Sequence, residues 1–176
     1  KVIEPEMEIY AIGKIGNDGD GKFVKNEFVK YGLNTDGVKV SQNELTSFTN
    51  VVSVLGGERT FFTYSGCNSS FGYDDVDLAN LNAKILHLGY FLLLDKIDNG
   101  DGIKILKKAK ELGIKTSIDL VSENTDRYKE VIPALAYTDY LIVNEIEAGG
   151  LAGITPEKKN IKQICEKLIA LGVNEK

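Results

Sequence analysis

Cysteine is scarce in this sequence, and the two that are present form no recognisable framework. Cys67 lies in a glycine-rich segment, and Cys165 lies on one face of a helical pattern. Their spacing is not that of a metal site, and it does not match the closely spaced cysteine set of a small disulfide-bonded domain. We therefore expect both thiols to be reduced.

Long apolar runs and clustered positive charges are also lacking. The longest apolar run, around residues 85–94, falls well short of the ~20 residues that cross a bilayer as a helix. The chain has 21 Lys and Arg against 26 Asp and Glu, a formal net charge of -5, without a basic stripe. Because phosphate backbones and anionic lipids bind clustered cations, we expect neither a nucleic acid nor a membrane as partner. No charged-then-apolar signal segment is recognised, so we predict a cytoplasmic protein.

What is present has the pattern of an α/β protein. Hydrophobic residues (43%) and charged residues (27%) occur in ordinary globular proportions. Segments of β type alternate with helical patterns, which predicts a parallel central sheet flanked by helices. The predicted strands are residues 8–12, 83–88, 115–119 and 140–143, and the predicted helices are residues 21–32, 102–112, 127–137 and a last one after Thr155-Pro156. In that last helix we expect one buried stripe, formed by Ile161, Ile164, Cys165 and Leu168.

A second β pattern interrupts this alternation. Residues 38–40, 46–54 and 59–64 are rich in Thr, Val and Phe, and Gly56-Gly57 separates the last two segments. Such a pattern predicts a hairpin within a small antiparallel sheet. We therefore divide the chain into a first strand-loop-helix unit (1–37), a β lid (38–66) and a continuation of the α/β core (67–176). Asp74-Asp75 is interpreted as a helix start in this last part.

The glycine-rich stretch 13–23 superficially matches three ligand-binding motifs. As a phosphate loop it places Phe23 where a hydroxyl must hold Mg²⁺, and Asp18 and Asp20 would repel phosphates by about 4 kcal/mol each at ~4 Å. As a calcium loop it has Gly16 where the first carboxylate is required. The dinucleotide fingerprint G-x-G-x-x-G is not in register. The remaining interpretation from the residues alone is a turn whose acids favour a helix N-terminus.

Two motifs give this chain a family resemblance. The run Gly13-Lys14-Ile15-Gly16-Asn17-Asp18, followed by Gly21, resembles the G-x-[IV]-G-x-D-x-x-G stretch of ribokinase-like (PfkB-type) carbohydrate kinases, which precedes a β lid. Asn144-Glu145-Ile146-Glu147 resembles the N-x-x-E motif of the same family. From its residues alone, the second motif is also compatible with a polar turn that starts a helix. The resemblance covers most of the chain.

The resemblance implies an ATP-dependent kinase that transfers the γ-phosphoryl group to a hydroxyl of a sugar-like substrate. It places Asn144 near the nucleotide and Glu147 near a hydrated Mg²⁺, with both side chains at one sheet edge. Asp119, at the end of a predicted strand, is a candidate for the substrate or phosphate side, and Arg59 on the lid is a candidate for the sugar. Family lids often pair across a dimer, so the resemblance also implies a homodimer of the full-length protein.

Some family features are different or lie outside this sequence. Many relatives continue with D-x-N-x-R from the position of Asp119, whereas Val121 and Glu123 stand here, so the substrate stays open among sugars and nucleosides. The family's Gly-Gly segment and its G-A-G-D region, which supplies the catalytic base, are not found. We therefore expect a central fragment that contains no catalytic residue and is inactive alone. The single histidine, His87, is interpreted as a hydrogen-bonded sheet residue.

Two alternatives remain open at this point. The first is a ligand-binding relative that has kept the fold and lost the chemistry. The second is an unrelated Rossmann-like interaction domain, for which both motif matches would be coincidence.

Overall fold

The computed structural model describes residues 4–122 and 126–174. Contacts divide the chain between Val76 and Asp77 into two compact units, each with its own parallel strands. No helix within the described ranges combines the length and the apolar character needed to cross a membrane.

The first unit begins with a strand, a helix and a second strand. Strand β1 (Tyr10–Gly16) and strand β2 (Asn34–Ser41) pair in parallel, and helix α1 (Gly19–Lys30) makes the crossover between them. Parallel neighbours need such a crossover because a tight turn cannot bring the second strand round in the same direction. Ile15 and Val38 are buried on the two strands.

The antiparallel part of this unit is smaller than expected. Strand β3 (Phe48–Ser53) pairs with strand β4 (Arg59–Tyr64), and a short helix α2 (Cys67–Ser70) follows. Our assignment of residues 38–40 to the antiparallel sheet was wrong, since they belong to β2 and pair with β1. A β-type pattern predicts a strand but does not identify the strand beside it, which explains the error.

The β3–β4 hairpin buries neither of its faces. All residues of both strands are exposed, including the large apolar residues Phe48, Val51, Val52, Phe61, Phe62 and Tyr64. The rings of Phe48 and Tyr64 contact each other across the strands, with centroids 5.5 Å apart. Isolated two-stranded ribbons are marginally stable in water, so the hairpin depends on what holds its base.

The second unit carries the predicted α/β pattern. Its elements are strand β5 (Ile85–Phe91), helix α3 (Gly102–Glu111), strand β6 (Lys115–Leu120), helix α4 (Tyr128–Leu135), strand β7 (Tyr140–Ile142), helix α5 (Glu145–Ala152) and helix α6 (Ile161–Ala170). The three strands pair in parallel in the order β5-β6-β7, which confirms the predicted parallel sheet flanked by helices. Asp74-Asp75 starts no long helix, because only a single 3-10 turn, Tyr73–Asp75, forms there.

The core of this unit lies between its strands and helices. Ile105, Leu106 and Ala109 on α3, Ile118 on β6, and Val131 and Leu135 on α4 are almost completely buried. On α6, Ile164 and Leu168 are buried, but Ile161 is 51% exposed and Cys165 is exposed. The predicted burial of that whole stripe was therefore wrong, because the face of α6 that is buried, which packs mainly against α5, is narrower than the apolar stripe.

A buried ionic contact fixes the amino-terminal ends of β6 and β7. The Asp139 carboxylate is 1% exposed and accepts hydrogen bonds from Lys110 Nζ and, at 2.8 Å, from the backbone N–H of Thr116. Burial by itself would raise the pKa of Asp139, but the hydrogen bonds from Lys110 and Thr116 and the charges of Lys110 and Lys115 hold it below its ordinary value. The Asp139 contacts thus lie at the end of the sheet opposite to the carboxyl-terminal ends of β6 and β7.

Candidate functional site

The glycine-rich motif, which runs from the end of β1 into α1, forms a closed set of hydrogen bonds with Thr46. Asp18 Oδ1 accepts from the backbone N–H of Gly21 at 2.8 Å and from Thr46 Oγ1 at 2.7 Å, and Asp18 Oδ2 accepts from the Thr46 N–H at 2.8 Å. The Thr46 hydroxyl also accepts from the backbone N–H of Gly16 at 2.8 Å. The bond from Gly21, followed by those from Thr46, holds the pKa of Asp18 below its ordinary value. This carboxylate therefore anchors the segment that leads into the hairpin.

A second set of polar contacts lies beside this anchor. Lys14 Nζ is 3.1 Å from Glu44 Oε2 and donates to Ser70 Oγ at 2.7 Å, while Ser41 Oγ donates to Glu44 Oε2 at 3.0 Å. Hydrogen bonds from Ser70, Lys14 and Ser41 hold the pKa of Glu44 below its ordinary value. Burial raises the pKa of the neighbouring Cys67 thiol, and a raised pKa disfavours the thiolate, which is the reactive form of cysteine.

Asp119 lies at the carboxyl-terminal end of β6 and faces β5. Its Oδ1 accepts from the backbone N–H of Tyr90 at 2.6 Å, and its Oδ2 lies 3.3 Å from His87 Nε2. The other ring nitrogen of His87, Nδ1, lies 3.1 Å from Ser117 Oγ, in agreement with the interpretation of His87 as a hydrogen-bonded sheet residue. Asp119 keeps one third of its side chain exposed, at 33%.

The backbone that Asp119 contacts has an uncommon conformation. Tyr90 has φ 65° and Leu92 has φ 78°, both in the left-handed region that favours glycine. Bulky residues in this region cost energy, and such strain is concentrated at functional sites of proteins. The strained turn at Tyr90 therefore marks the end of β5 as a candidate part of the site.

The N-x-x-E motif forms a reciprocal cap at the start of α5. Asn144 Oδ1 accepts from the backbone N–H groups of Ile146 and Glu147, each at 2.9 Å. In return, Glu147 Oε2 accepts from the Asn144 N–H at 3.0 Å, and Asn144 Nδ2 donates to Glu147 Oε1 at 3.0 Å. The structure thus brings the two predicted side chains together at the carboxyl-terminal end of β7. The polar-turn interpretation describes their local contacts correctly.

A third side chain completes this group. Ser122 lies just beyond the end of β6, and its Oγ donates to Glu147 Oε1 at 2.7 Å and accepts from Asn144 Nδ2 at 2.9 Å. Ser122, Asn144 and Glu147, named here the Ser-Asn-Glu cluster, join the ends of two adjacent strands. Asp119 and Ser122, only three residues apart, therefore make contacts on opposite sides of β6.

The donor set of the Ser-Asn-Glu cluster suits a hydrated metal better than a bare one. Glu147 is 6% exposed, and its carboxylate accepts three hydrogen bonds from the described residues, which leave one lone pair of Oε2 without a donor among them. Within the described ranges, no group of three or more His, Cys, Asp or Glu could hold a metal ion by itself. Mg²⁺ keeps several waters and needs only one or two carboxylates beside substrate phosphates, so the cluster fits a water-mediated contact.

Arg59 and Glu123 are the two other positions to which the family resemblance draws attention. Arg59 opens β4 in the first unit, and its guanidinium carbon lies 5.5 Å from the centre of the Phe61 ring, a cation–π contact on an exposed hairpin. Glu123, at which the sequence departs from the relatives' motif, lies outside the described residues.

Sequence reasoning did not identify Ser122 or Tyr90. Ser122 belongs to neither motif, and the one available signal is that it is a polar residue after a strand at the same sheet edge as Asn144. Tyr90 has no signal in the sequence, because an aromatic residue is not a typical occupant of the left-handed region.

The chain belongs to the pfkB family of carbohydrate kinases. The family model "pfkB family carbohydrate kinase" matches residues 7–176. A bifunctional ribokinase/ribose-5-phosphate isomerase A of Fructilactobacillus sanfranciscensis is 31% identical over 144 residues, which are 81% of this chain and 25% of that protein. A ribokinase of Dictyostelium discoideum is 26% identical over 169 residues, which are 90% of this chain and 52% of that protein.

Solved structures show the same fold. A structure of Arabidopsis thaliana ribokinase complexed with ribose and ATP superposes with a TM-score of 0.74 at 25% identity, covering 94% of this chain and 53% of that chain. A structure of a PfkB protein from Polaromonas sp. JS666 superposes with a TM-score of 0.78 at 16% identity, covering 96% of this chain and 59% of that chain. The chain spans about half the length, or less, of these curated and structural relatives.

Proposed function

We propose that the full-length protein is an ATP-dependent kinase that transfers the γ-phosphoryl group of ATP to a hydroxyl of a sugar-like substrate. The single observation that carries the proposal is the Ser-Asn-Glu cluster, which lies at the carboxyl-terminal ends of parallel strands in a chain of the pfkB family. Ligands of open α/β sheets bind at this edge. The structural similarity to Arabidopsis ribokinase, which was solved in complex with ribose and ATP, supports a sugar and ATP as the two ligands of this protein.

In this proposal Asn144 and Glu147 serve the nucleotide side. Mg²⁺, when bound with ATP, offsets the negative charge of the phosphates and of the transferring group. Asn144 fixes the start of α5, whose first N–H groups carry partial positive charge. Glu147 holds a metal-bound water through the free lone pair of Oε2, and its other lone pairs are occupied, which keeps the carboxylate in one orientation.

Asp119 and Arg59 are proposed to serve the substrate side. The Asp119 carboxylate is partly exposed and can accept hydrogen bonds from sugar hydroxyls, while its bond to Tyr90 fixes its position. The guanidinium of Arg59 offers donors for sugar oxygens from the hairpin, for which the resemblance implies the role of a lid. In both roles the residue would position the sugar that accepts the phosphoryl group, and such positioning is a large part of catalysis in phosphoryl transfer.

Three further features belong to the proposal. The G-A-G-D sequence, to which the resemblance assigns the general base, is not among these 176 residues, so we propose that the chain alone has no kinase activity. Removal of a general base typically lowers a rate about 10² to 10⁴-fold. The exposed apolar hairpin supports a homodimer of the full-length protein through the lid, and the proposed location is the cytoplasm.

The test is a coupled ADP-release assay of the full-length protein on a panel of sugars and nucleosides, with Glu147→Gln beside the wild type. A kinase should turn over at least one substrate, and E147Q should require a higher Mg²⁺ concentration. Gln retains an oxygen that can cap α5, so folding is preserved. Ligand binding without turnover would instead support a non-catalytic relative. Indifference to every ligand and to E147Q would support an interaction domain.

A further inference from the structure

Ser122 contributes contacts that the start of α5 does not need. The cap of this helix is complete without it, because Asn144 Oδ1 accepts from two backbone N–H groups and Glu147 Oε2 accepts from a third. Ser122 instead contacts Glu147 Oε1 and Asn144 Nδ2, the two side-chain atoms that the backbone cap leaves unused. Its effect is therefore on side-chain orientation.

The contacts of Ser122 close a triangle. The three sides are Ser122 Oγ to Glu147 Oε1 at 2.7 Å, Asn144 Nδ2 to Ser122 Oγ at 2.9 Å, and Asn144 Nδ2 to Glu147 Oε1 at 3.0 Å. Since Oε1 receives two donors and Oε2 receives one, the carboxylate plane cannot rotate without losing at least one bond. The remaining lone pair on Oε2 then has a fixed direction.

We propose that Ser122 is a positioning residue that orients the Glu147 carboxylate toward the hydrated metal of the nucleotide. This inference rests on the proposed function of Glu147 and adds a residue outside both family motifs. Without the hydroxyl, Oε1 keeps only the Asn144 amide, and the carboxylate gains freedom to rotate. Partners that orient a metal-side carboxylate typically change metal affinity by about 10- to 100-fold when removed, and a water-mediated site belongs at the lower end of that range.

The experiment compares Ser122→Ala, Ser122→Thr, Glu147→Gln and the double variant S122A/E147Q in the full-length kinase. Two quantities are measured: the Mg²⁺ concentration for half-maximal activity, and the affinity for Mn²⁺ in the presence of ADP by electron paramagnetic resonance. S122A should weaken both by about 10-fold while the sugar KM stays unchanged. S122T keeps a hydroxyl and should leave both metal quantities close to their wild-type values. The double variant should match E147Q, because both changes act through one carboxylate.

The outcomes separate this inference from the proposed function. If E147Q changes neither metal quantity, the metal role of Glu147 fails, and the inference about Ser122 fails with it. If E147Q weakens the metal response and S122A does not, only the inference about Ser122 is overturned. It is overturned as well if S122A lowers the melting temperature and the sugar affinity together with the metal affinity, because that result marks a structural role. Ser122 is exposed, so we expect S122A to fold normally.

Discussion

Asp18 and Thr46 are joined by two hydrogen bonds, one from the Thr46 hydroxyl at 2.7 Å and one from its backbone N–H at 2.8 Å. The acid of the glycine-rich family motif is thus occupied by a segment 28 residues further along the chain. A carboxylate held in this way has a structural purpose, since it fixes the chain directly before an exposed hairpin.

Thr46→Val should destabilise the first unit by about 1–3 kcal/mol, because the Gly16 N–H loses its acceptor where Thr46 is 5% exposed. The free energy of unfolding from urea titration is the measurement. Thr60→Val, at an exposed position of β4, is the matched control and should change it by less than about 0.5 kcal/mol. Equal effects of the two substitutions would show that the contacts of Thr46 contribute nothing.

Gly16→Ala should destabilise the protein by about 1–3 kcal/mol, the usual cost of overpacking. A Cβ at this position would lie 2.6 Å from the carbonyl oxygen of Glu44 and 2.7 Å from the backbone nitrogen of Thr46, so the backbone has to move. At Gly13, in the same motif, a Cβ would have no heavy atom of the described residues within 4 Å. Gly13→Ala should therefore leave the melting temperature unchanged or raise it. A lower melting temperature for G13A than for G16A would contradict this account.

Asp139→Asn should lower the free energy of unfolding at neutral pH by about 1–3 kcal/mol through loss of the contact with Lys110. The folded pKa of Asp139 lies below the unfolded value of about 3.9. Stability from this group is therefore complete above the unfolded pKa, and it is lost as pH falls through the folded pKa.

The difference in the free energy of unfolding between wild type and D139N should accordingly be constant from pH 7 to about pH 5 and should decrease below about pH 4. Urea midpoints measured along this pH series test the expectation, with the exposed Asp74→Asn as control. A gap that widens on acidification would mean that the sign of the pKa shift is wrong.

Tyr90→Gly should change the free energy of unfolding by less than about 0.5 kcal/mol. The left-handed conformation at φ 65° costs a non-glycine residue about 1 kcal/mol. Glycine removes this cost, and the removal offsets the larger conformational entropy that glycine loses on folding. Tyr31 is similarly exposed but has φ -88°, so Tyr31→Gly gains no such relief and should cost about 1 kcal/mol. Equal losses in the two variants would argue against strain at Tyr90.

The sequence predicted most reliably what depends on neighbours along the chain. Strand β4 has its predicted bounds, Arg59–Tyr64, and Asn144 and Glu147, which were expected at one sheet edge, are three positions apart and contact each other. Three features join residues that are distant in the sequence: the pairing of β2 with β1, the contact of Asp18 with Thr46, and the contacts of Ser122 with Asn144 and Glu147. No local pattern identifies such pairs, because they are set by which surfaces pack together in the folded chain.

The cap of α5 has a consequence for mutagenesis of this family motif. Asn144 and Glu147 hold each other in the cap of α5, and the proposed function assigns the same two side chains to the nucleotide side. Truncation of either side chain would therefore fray the helix and remove a proposed ligand contact at once. An alanine variant here confounds folding with chemistry. Isosteric replacements, read out by metal titration alongside melting, are needed to attribute lost turnover to one cause.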